Sequence, residues 1–363
     1  MRAAPMTAAE TVAHLVGAGV VPAEVLVRDG VRVRDVSRRH LDHLVTIGDG
    51  QGGVFVKQGV GAERRAAVAA EAAVLALLAG RTDLAAHLPT VRHVDAARSM
   101  LVLDAVPGAV SLREHHHRTG RLPVLASRGL GRALARLHDG TTGQGHAALH
   151  RGPAPTLRLH RPTPAALDQT GRGARAVLAV LQGAPGAGAL LDAVAEDWHG
   201  TSLLHGDVRW DNVLLSPAPG ARRVSRVTLV DWELAQLGDP AWDLGCAFGE
   251  HLAAWVAGLA VSSHAPPGEA GGGATPLARV HASSRALWHA YLSARRVDDV
   301  AGFRLRAVRY AACRLLQSAL ERADRSAVLP SHSVVAVQLG LNLLAQPLDG
   351  ATHLLGLDLG WSS

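Results

Sequence analysis

His205-Gly206-Asp207 follows a short apolar run, Ser202-Leu203-Leu204, and Asn212 comes five residues after the aspartate. A later apolar run, Val227-Thr228-Leu229-Val230, leads directly into Asp231-Trp232-Glu233. A carboxylate, a neutral amide and a second carboxylate make an oxygen-rich group. Hard divalent cations such as Mg2+ take few protein ligands of this kind and complete their shell with phosphates and water. Asn212 and Asp231 are therefore the metal candidates, and Asp207 is left to take a proton from a hydroxyl. A loop aspartate as base, a loop asparagine on metal and a post-strand aspartate on metal are the parts of a phosphoryl-transfer site.

Three short strands must position these groups. Residues 202–204 and 213–215 read as buried strands, and Pro217 to Arg223 reads as a turn rich in Pro, Gly and Arg. Residues 227–230 form the third strand. On this reading Asp207, Asn212 and Asp231 fall at neighbouring strand ends.

The run HGDVRWDN, then LVDWE, then GDPAWDLG resembles the aminoglycoside phosphotransferase and choline kinase family over roughly residues 31–325. The resemblance implies an α+β, two-lobed protein-kinase-like fold. Residues 1–106 would be a small antiparallel-sheet lobe that binds nucleotide. Residues 107–363 would be a larger, mostly helical lobe for catalysis and acceptor binding, with a helical subdomain. The implied cofactors are ATP, with GTP left open, and Mg2+. In the family a lysine on a strand pairs with a helix glutamate, and a hinge between the lobes meets adenine through backbone groups. Asp243 would brace the catalytic-loop backbone, and His205 would do the same without reacting.

The lysine is marked independently. Of 37 Lys plus Arg, Lys57 is the one lysine. In a chain that otherwise uses Arg for positive charge, a lysine points to a slot where a compact ammonium fits and a planar fork does not. Its helix partner is expected to be Glu71, whose Ala and Val neighbours leave a carboxylate in need of a counter-charge; Glu63 lies too close to the strand.

The other elements follow in order. Residues 7–19 read as a helix capped by Thr7. Residues 24–36 alternate around Asp29-Gly30 and read as a hairpin or strand pair. Residues 41–47 and 54–57 flank Gly48-Asp49-Gly50-Gln51-Gly52-Gly53, whose spacing fits a hairpin turn and neither phosphate-binding glycine pattern. The nucleotide-covering loop is expected one turn earlier, at Ser37-Arg38-Arg39-His40, with Ser37 meeting phosphate. Residues 62–79 form a strong helix, 88–95 and 99–106 two strands, and Asp104 to Gly108 the hinge, with Asp104 and Val106 as adenine contacts. His115-His116-His117 fans around a helix and reads as a solvated helix end, since three consecutive rings cannot chelate together. Residues 141–173 are loop-rich and border the acceptor side. Residues 264–276 form a surface loop, and 278–345 are helical.

Composition excludes several classes. An apolar share of 48% with 19% charged residues describes a globular chain. No apolar run reaches the ~18 residues of a membrane span. Glu10 and His14 interrupt the N-terminal apolar stretch, which makes it a poor signal peptide. Cys246 and Cys313 supply neither a disulfide framework nor zinc spacing, so a reducing cytoplasm is expected. The net charge of +6 comes from scattered arginines with few aromatics, which does not describe a nucleic-acid binder.

The expected chemistry is transfer of the γ-phosphate of ATP to a hydroxyl. Asp207 is the base, and Arg209, two residues on, is placed to bind a phosphate or an acidic acceptor. Three readings of the acceptor stay open. The SRRH loop, FVKQG strand and DWELAQLGDPAWDLG run are similar to kinase-like subunits of multi-component lanthipeptide synthetases, which phosphorylate Ser or Thr of a precursor peptide beside a partner lyase or cyclase. This reading suits a basic protein and an acidic leader, and is preferred. A small-molecule acceptor such as an aminoglycoside is the second. A catalytically inactive peptide-binding protein is the third, and all four core residues being present argues against it.

Overall fold

The computed structural model describes residues 4–37, 40–48, 52–140, 149–200, 202–217, 224–262, 275–324, 326 and 329–357. Helices α1 (Ala8–Gly17) and α2 (Ala23–Asp29) come first. Strands β1 (Val31–Asp35), β2 (Leu41–Ile47) and β3 (Gly52–Gln58), helix α3 (Ala62–Leu78), and strands β4 (Val91–Asp95), β5 (Met100–Asp104) and β6 (Val110–Ser111) follow. Then come α4 (Leu112–Thr119), α5 (Val124–Asp139), α6 (Pro164–Asp168), α7 (Arg172–Gly183) and α8 (Ala187–Glu196). Strands β7 (Ser202–Leu204), β8 (Val213–Pro217), β9 (Val224–Leu229) and β10 (Gln236–Gly238) precede α9 (Ala241–Ser262), α10 (Leu277–Ala294), α11 (Val300–Ala323), α12 (Ser331–Ala345) and α13 (Pro347–His353).

These elements form two compact units, residues 1–110 with 212–235, and residues 111–211 with 236–363. The first unit holds an antiparallel five-stranded sheet in the order β1-β2-β3-β5-β4 and the β8–β9 hairpin. Its core joins Leu15 and Val21 to Val45, Val54, Val56, Met100 and Val102, so α1 covers the sheet face that these alternating residues present. Central strand β3 carries Lys57 opposite Asp42 of β2 and Leu101 of β5. A Cβ on Gly53 would lie 2.3 Å from the Val45 carbonyl oxygen, so that glycine serves close strand approach. β2 and β3 pair antiparallel across the glycine cluster, as a hairpin requires; residues 49–51 lie outside the described set.

One expectation is corrected here. Residues 24–29 are helix α2, and only Val31–Asp35 is strand, paired with β2. Pro22 sets the backbone at the helix start, Glu24 lies in the first turn, and Gly30 at φ 72° ends the helix. The alternation of EVLVR fits either period over so short a span, and Pro22 and Gly30 bound it as one short helix.

The second unit is mostly helical. β7, the strand before Asp207, pairs antiparallel with β10 in a two-stranded ladder. Helices α9 and α11 meet at glycines: a Cβ on Gly245 would lie 2.4 Å from Tyr310 Cβ, and one on Gly249 2.7 Å from Arg314 Cβ. This close approach sets Arg314 beside Glu250. No single helix among the described residues is long and apolar enough to cross a membrane.

Candidate active site

In the first unit, Lys57 Nζ donates to Glu71 Oε2 at 2.7 Å and to Asp231 Oδ1 at 2.5 Å. Lys57 and Glu71 are buried, while the Asp231 side chain is 37% exposed. Burial works against the ammonium, but the two carboxylates outweigh it and hold the Lys57 pKa above its usual range. Glu63 is not the lysine's partner; α3 places Glu71, two turns further on, on its buried face.

The β8–β9 hairpin sets Asn212 and Asp231 at adjacent ends. Val213 faces Leu229, and Val230 N donates to the Asn212 carbonyl at 3.0 Å. Asp231 itself has φ 68°, the left-handed region that few residues other than glycine enter. Such a conformation persists where the surroundings over-determine it, and it turns the carboxylate at the strand end back toward Lys57. Glu233 contacts His40, Oε2 to Nε2 at 2.5 Å, and lies 3.6 Å from Lys57 Nζ. His40 and Asp42 are also buried here, and burial pushes the Asp42 carboxyl up to about 6.

Ser37 Oγ accepts from Asp42 N at 2.9 Å, and Ser37 N donates to Asp35, so its hydroxyl oxygen is engaged within its own turn; Arg38 and Arg39 lie outside the described residues. Asp104 pairs with Arg92 through its side chain, and its N–H donates to the Thr90 carbonyl. The Val106 carbonyl accepts from Ala109 N.

In the second unit, Asp243 holds the loop before Asp207. Its carboxylate accepts from His205 N at 2.8 Å and Gly206 N at 3.0 Å. Trp242 Nε1 donates to the Gly206 carbonyl at 2.9 Å, and Gly206 has φ 83°, a turn that a glycine tolerates without strain. Asp243 is anchored in turn by buried His138, at 3.1 Å, whose other ring nitrogen meets the Tyr291 hydroxyl. Asp207 N donates to His205 Nδ1 at 3.3 Å, which makes that nitrogen an acceptor.

The residues after Asp207 are held by an ionic network absent from the sequence reading. Arg209 pairs with Glu321 at 2.8 Å. Glu250 accepts from Trp210 N, Arg113 and Arg314, and Arg113 also grips Asp211 at 2.5 Å. Burial alone would raise the Glu250 carboxyl, but Arg314, Arg113 and Arg209 hold it down at about 2. Its signal was present: a lone glutamate in the apolar run CAFGEHLAAWV, the same cue that marks Glu71. Asp239, fully buried, caps α9 through Ala241 N and takes Arg306 and the Tyr310 hydroxyl. The His115–His117 run differs from a solvated end: His116 is half-buried, packs 5.0 Å from the Trp210 ring and hydrogen-bonds Thr275.

The model of the phosphotransferase enzyme family (APH) matches residues 36–273. The chain belongs to this family. It is a kinase, carrying phosphate to an alcohol group. No curated protein sequence matches this phosphotransferase. Its fold is protein-kinase-like. It is similar to a Plasmodium vivax ethanolamine kinase at 11% identity and TM-score 0.55, over 93% of this chain and 90% of that one. A choline kinase from Cryptosporidium parvum shares 9% identity at TM-score 0.56, over 95% and 98% of the two chains. Aminoglycoside 2'-phosphotransferase-IIIa, solved with GDP, shares 12% identity at TM-score 0.50, over 94% and 98%.

Proposed function

We propose that this phosphotransferase uses ATP and Mg2+ to phosphorylate a Ser or Thr side chain of a precursor peptide. The observation that carries the phosphoryl-transfer reading is the Lys57–Glu71–Asp231 contact set, closed by a left-handed Asp231 beside Asn212. Its donor set fits the expected cofactors. Asn212 and Asp231 offer hard oxygens from the two ends of one hairpin, and Lys57 offers a compact cation for phosphate. Bound nucleotide with its metal supplies the phosphoryl group and neutralises charge on it. Asp207 steers the acceptor hydroxyl and takes its proton. Ser37, Asp104 and Val106 are assigned to the nucleotide, Ser37 by exchanging the hydroxyl contact it makes with Asp35 for a phosphate oxygen and the other two through their backbone. Lys57, oriented by Glu71, binds the phosphates. Positioning and electrostatics supply most of the rate in this chemistry.

The peptide acceptor is supported by charge. Around the catalytic loop of the second unit, Asp211, Glu250 and Glu321 are each paired with arginines. An acceptor rich in ammonium groups needs carboxylates not already neutralised, whereas a net charge of +6 suits an acidic leader. Arg209 is assigned to an acidic group of the acceptor, which would compete with Glu321 for it. A lyase or cyclase is the partner this reading calls for.

Intact-mass spectrometry tests it. The protein, ATP and Mg2+ are incubated with a Ser/Thr-rich precursor peptide bearing its leader, and separately with a panel of aminoglycosides, beside Asp207→Asn. Phosphate on the peptide, absent with the variant, is expected. Phosphate on an aminoglycoside alone would overturn the peptide acceptor and keep the chemistry.

A further inference from the structure

Away from the residues assigned to phosphoryl transfer, the first unit brings two imidazoles and a carboxylate together. His14 lies in the last turn of α1. His93 and Asp95 alternate on β4 and so face the same side of that edge strand. The ligand atoms of the three all lie within 4.8 Å of one another. His14 Nε2 is 3.5 Å from Asp95 Oδ2, and the two imidazole rings are 6.0 Å apart.

The His14 nitrogen is the telling atom. It is buried and has no hydrogen-bond partner, although a carboxylate oxygen stands beside it. Buried polar atoms are almost always satisfied, and an orphan calls for a missing water or ion. Zinc bonds of about 2.0–2.1 Å at the tetrahedral angle set neighbouring ligand atoms about 3.4 Å apart. The His14–Asp95 separation already has that length, so a cation could bridge two atoms that do not hydrogen-bond each other.

We propose that His14, His93 and Asp95 form a zinc-binding site, with water as fourth ligand, that clips helix α1 to strand β4. Two imidazoles and one carboxylate suit Zn2+ and leave the position open that water fills. Arg98 is the competing group. Its N–H and guanidinium hold the two Asp95 oxygens at 3.0 and 3.1 Å, and its side chain is 53% exposed. With the arginine half in solvent the pair is only partly shielded, so the guanidinium can yield Oδ2 to a dication while the backbone N–H keeps Oδ1. Leu15, next to His14, already packs α1 into the sheet core, so the metal would tighten a contact that exists without it.

The experiment is a Zn2+ titration by calorimetry on chelator-treated full chain, in Mg2+ buffer without nucleotide, beside His14→Asn, His93→Asn and Arg98→Gln. Wild type should bind one equivalent, and zinc should raise its melting temperature. Either histidine variant should bind at least about 100-fold more weakly and lose the thermal shift. Arg98→Gln should bind as tightly or more tightly, because it frees Asp95. Far-UV circular dichroism of each variant keeps folding separate from binding. No zinc bound by wild type, affinity unchanged in both histidine variants, or weakened binding in Arg98→Gln would each overturn the proposal. The arginine variant carries the test if a histidine variant does not fold.

Discussion

The backbone N–H of Trp232 donates to Glu71 Oε1 at 3.2 Å. Glu71 thus fixes two things at once: Lys57 through Oε2, and the peptide immediately after Asp231 through Oε1. Lys57 closes the circuit on Asp231. Losing Glu71 should therefore disturb metal and phosphate binding together. Glu71→Gln should raise KM for both ATP and Mg2+, measured by varying each in steady state; a change confined to ATP would show that the Trp232 contact is idle.

Asp207→Asn should lower turnover by about 1000-fold while nucleotide affinity stays within a few-fold, because in the proposed role this carboxylate acts on the acceptor and not on the nucleotide. Turnover and a nucleotide titration on the same preparation measure both. Near-normal turnover would remove Asp207 from the role of base.

Lys57→Met should destabilise the fold by about 3–5 kcal/mol, since Glu71 is left buried without its counter-charge. Lys57→Arg keeps the charge, yet should still lower kcat/KM by about 100-fold or more, because a planar fork does not fit between Glu71 and Asp231. Chemical denaturation and steady-state kinetics read the two effects separately.

Asp231→Asn and Asp231→Ala both delete the carboxylate proposed to hold Mg2+ and should both abolish Mg2+-dependent turnover. Asparagine tolerates the left-handed backbone that Asp231 adopts, and alanine does not. The alanine variant should accordingly be less stable by about 1 kcal/mol, measured by denaturant melts without nucleotide.

Glu250 gives a pH signature. Its folded pKa of about 2 lies below the ordinary 4.5, so it contributes stability that is fully present above about pH 4.5 and is lost as pH falls toward 2. That difference corresponds to roughly 3 kcal/mol. Glu250→Gln should flatten this part of the acid limb and also slow turnover, because Trp210 N, Arg113 and Arg314 all rest on that carboxylate. An unchanged acid limb would show that the network is not electrostatically coupled to folding.

How much of this was legible depended on range in sequence. HGDVRWDN and LVDWE stood out because each gathers its candidate groups into one short loop. Glu71 could be read because an apolar helix leaves a carboxylate needing a partner. The same cue was open at Glu250 and was passed over, since its partners Arg113 and Arg314 lie 137 and 64 residues away. His40 on Glu233 joins residues 193 apart, and no local pattern announces such a contact. Helix α2 was missed because five alternating residues fit a strand as well as a helix over so short a span.

Lys57 is the one side-chain amine in the chain, and it is buried between two carboxylates. An amine-acylating reagent thus has a single side-chain target, which reacts only when that pair separates. The rate of its modification is a clock for local opening of this pocket. Slowing of that clock by nucleotide would report occupancy from a native side chain, with no residue substituted.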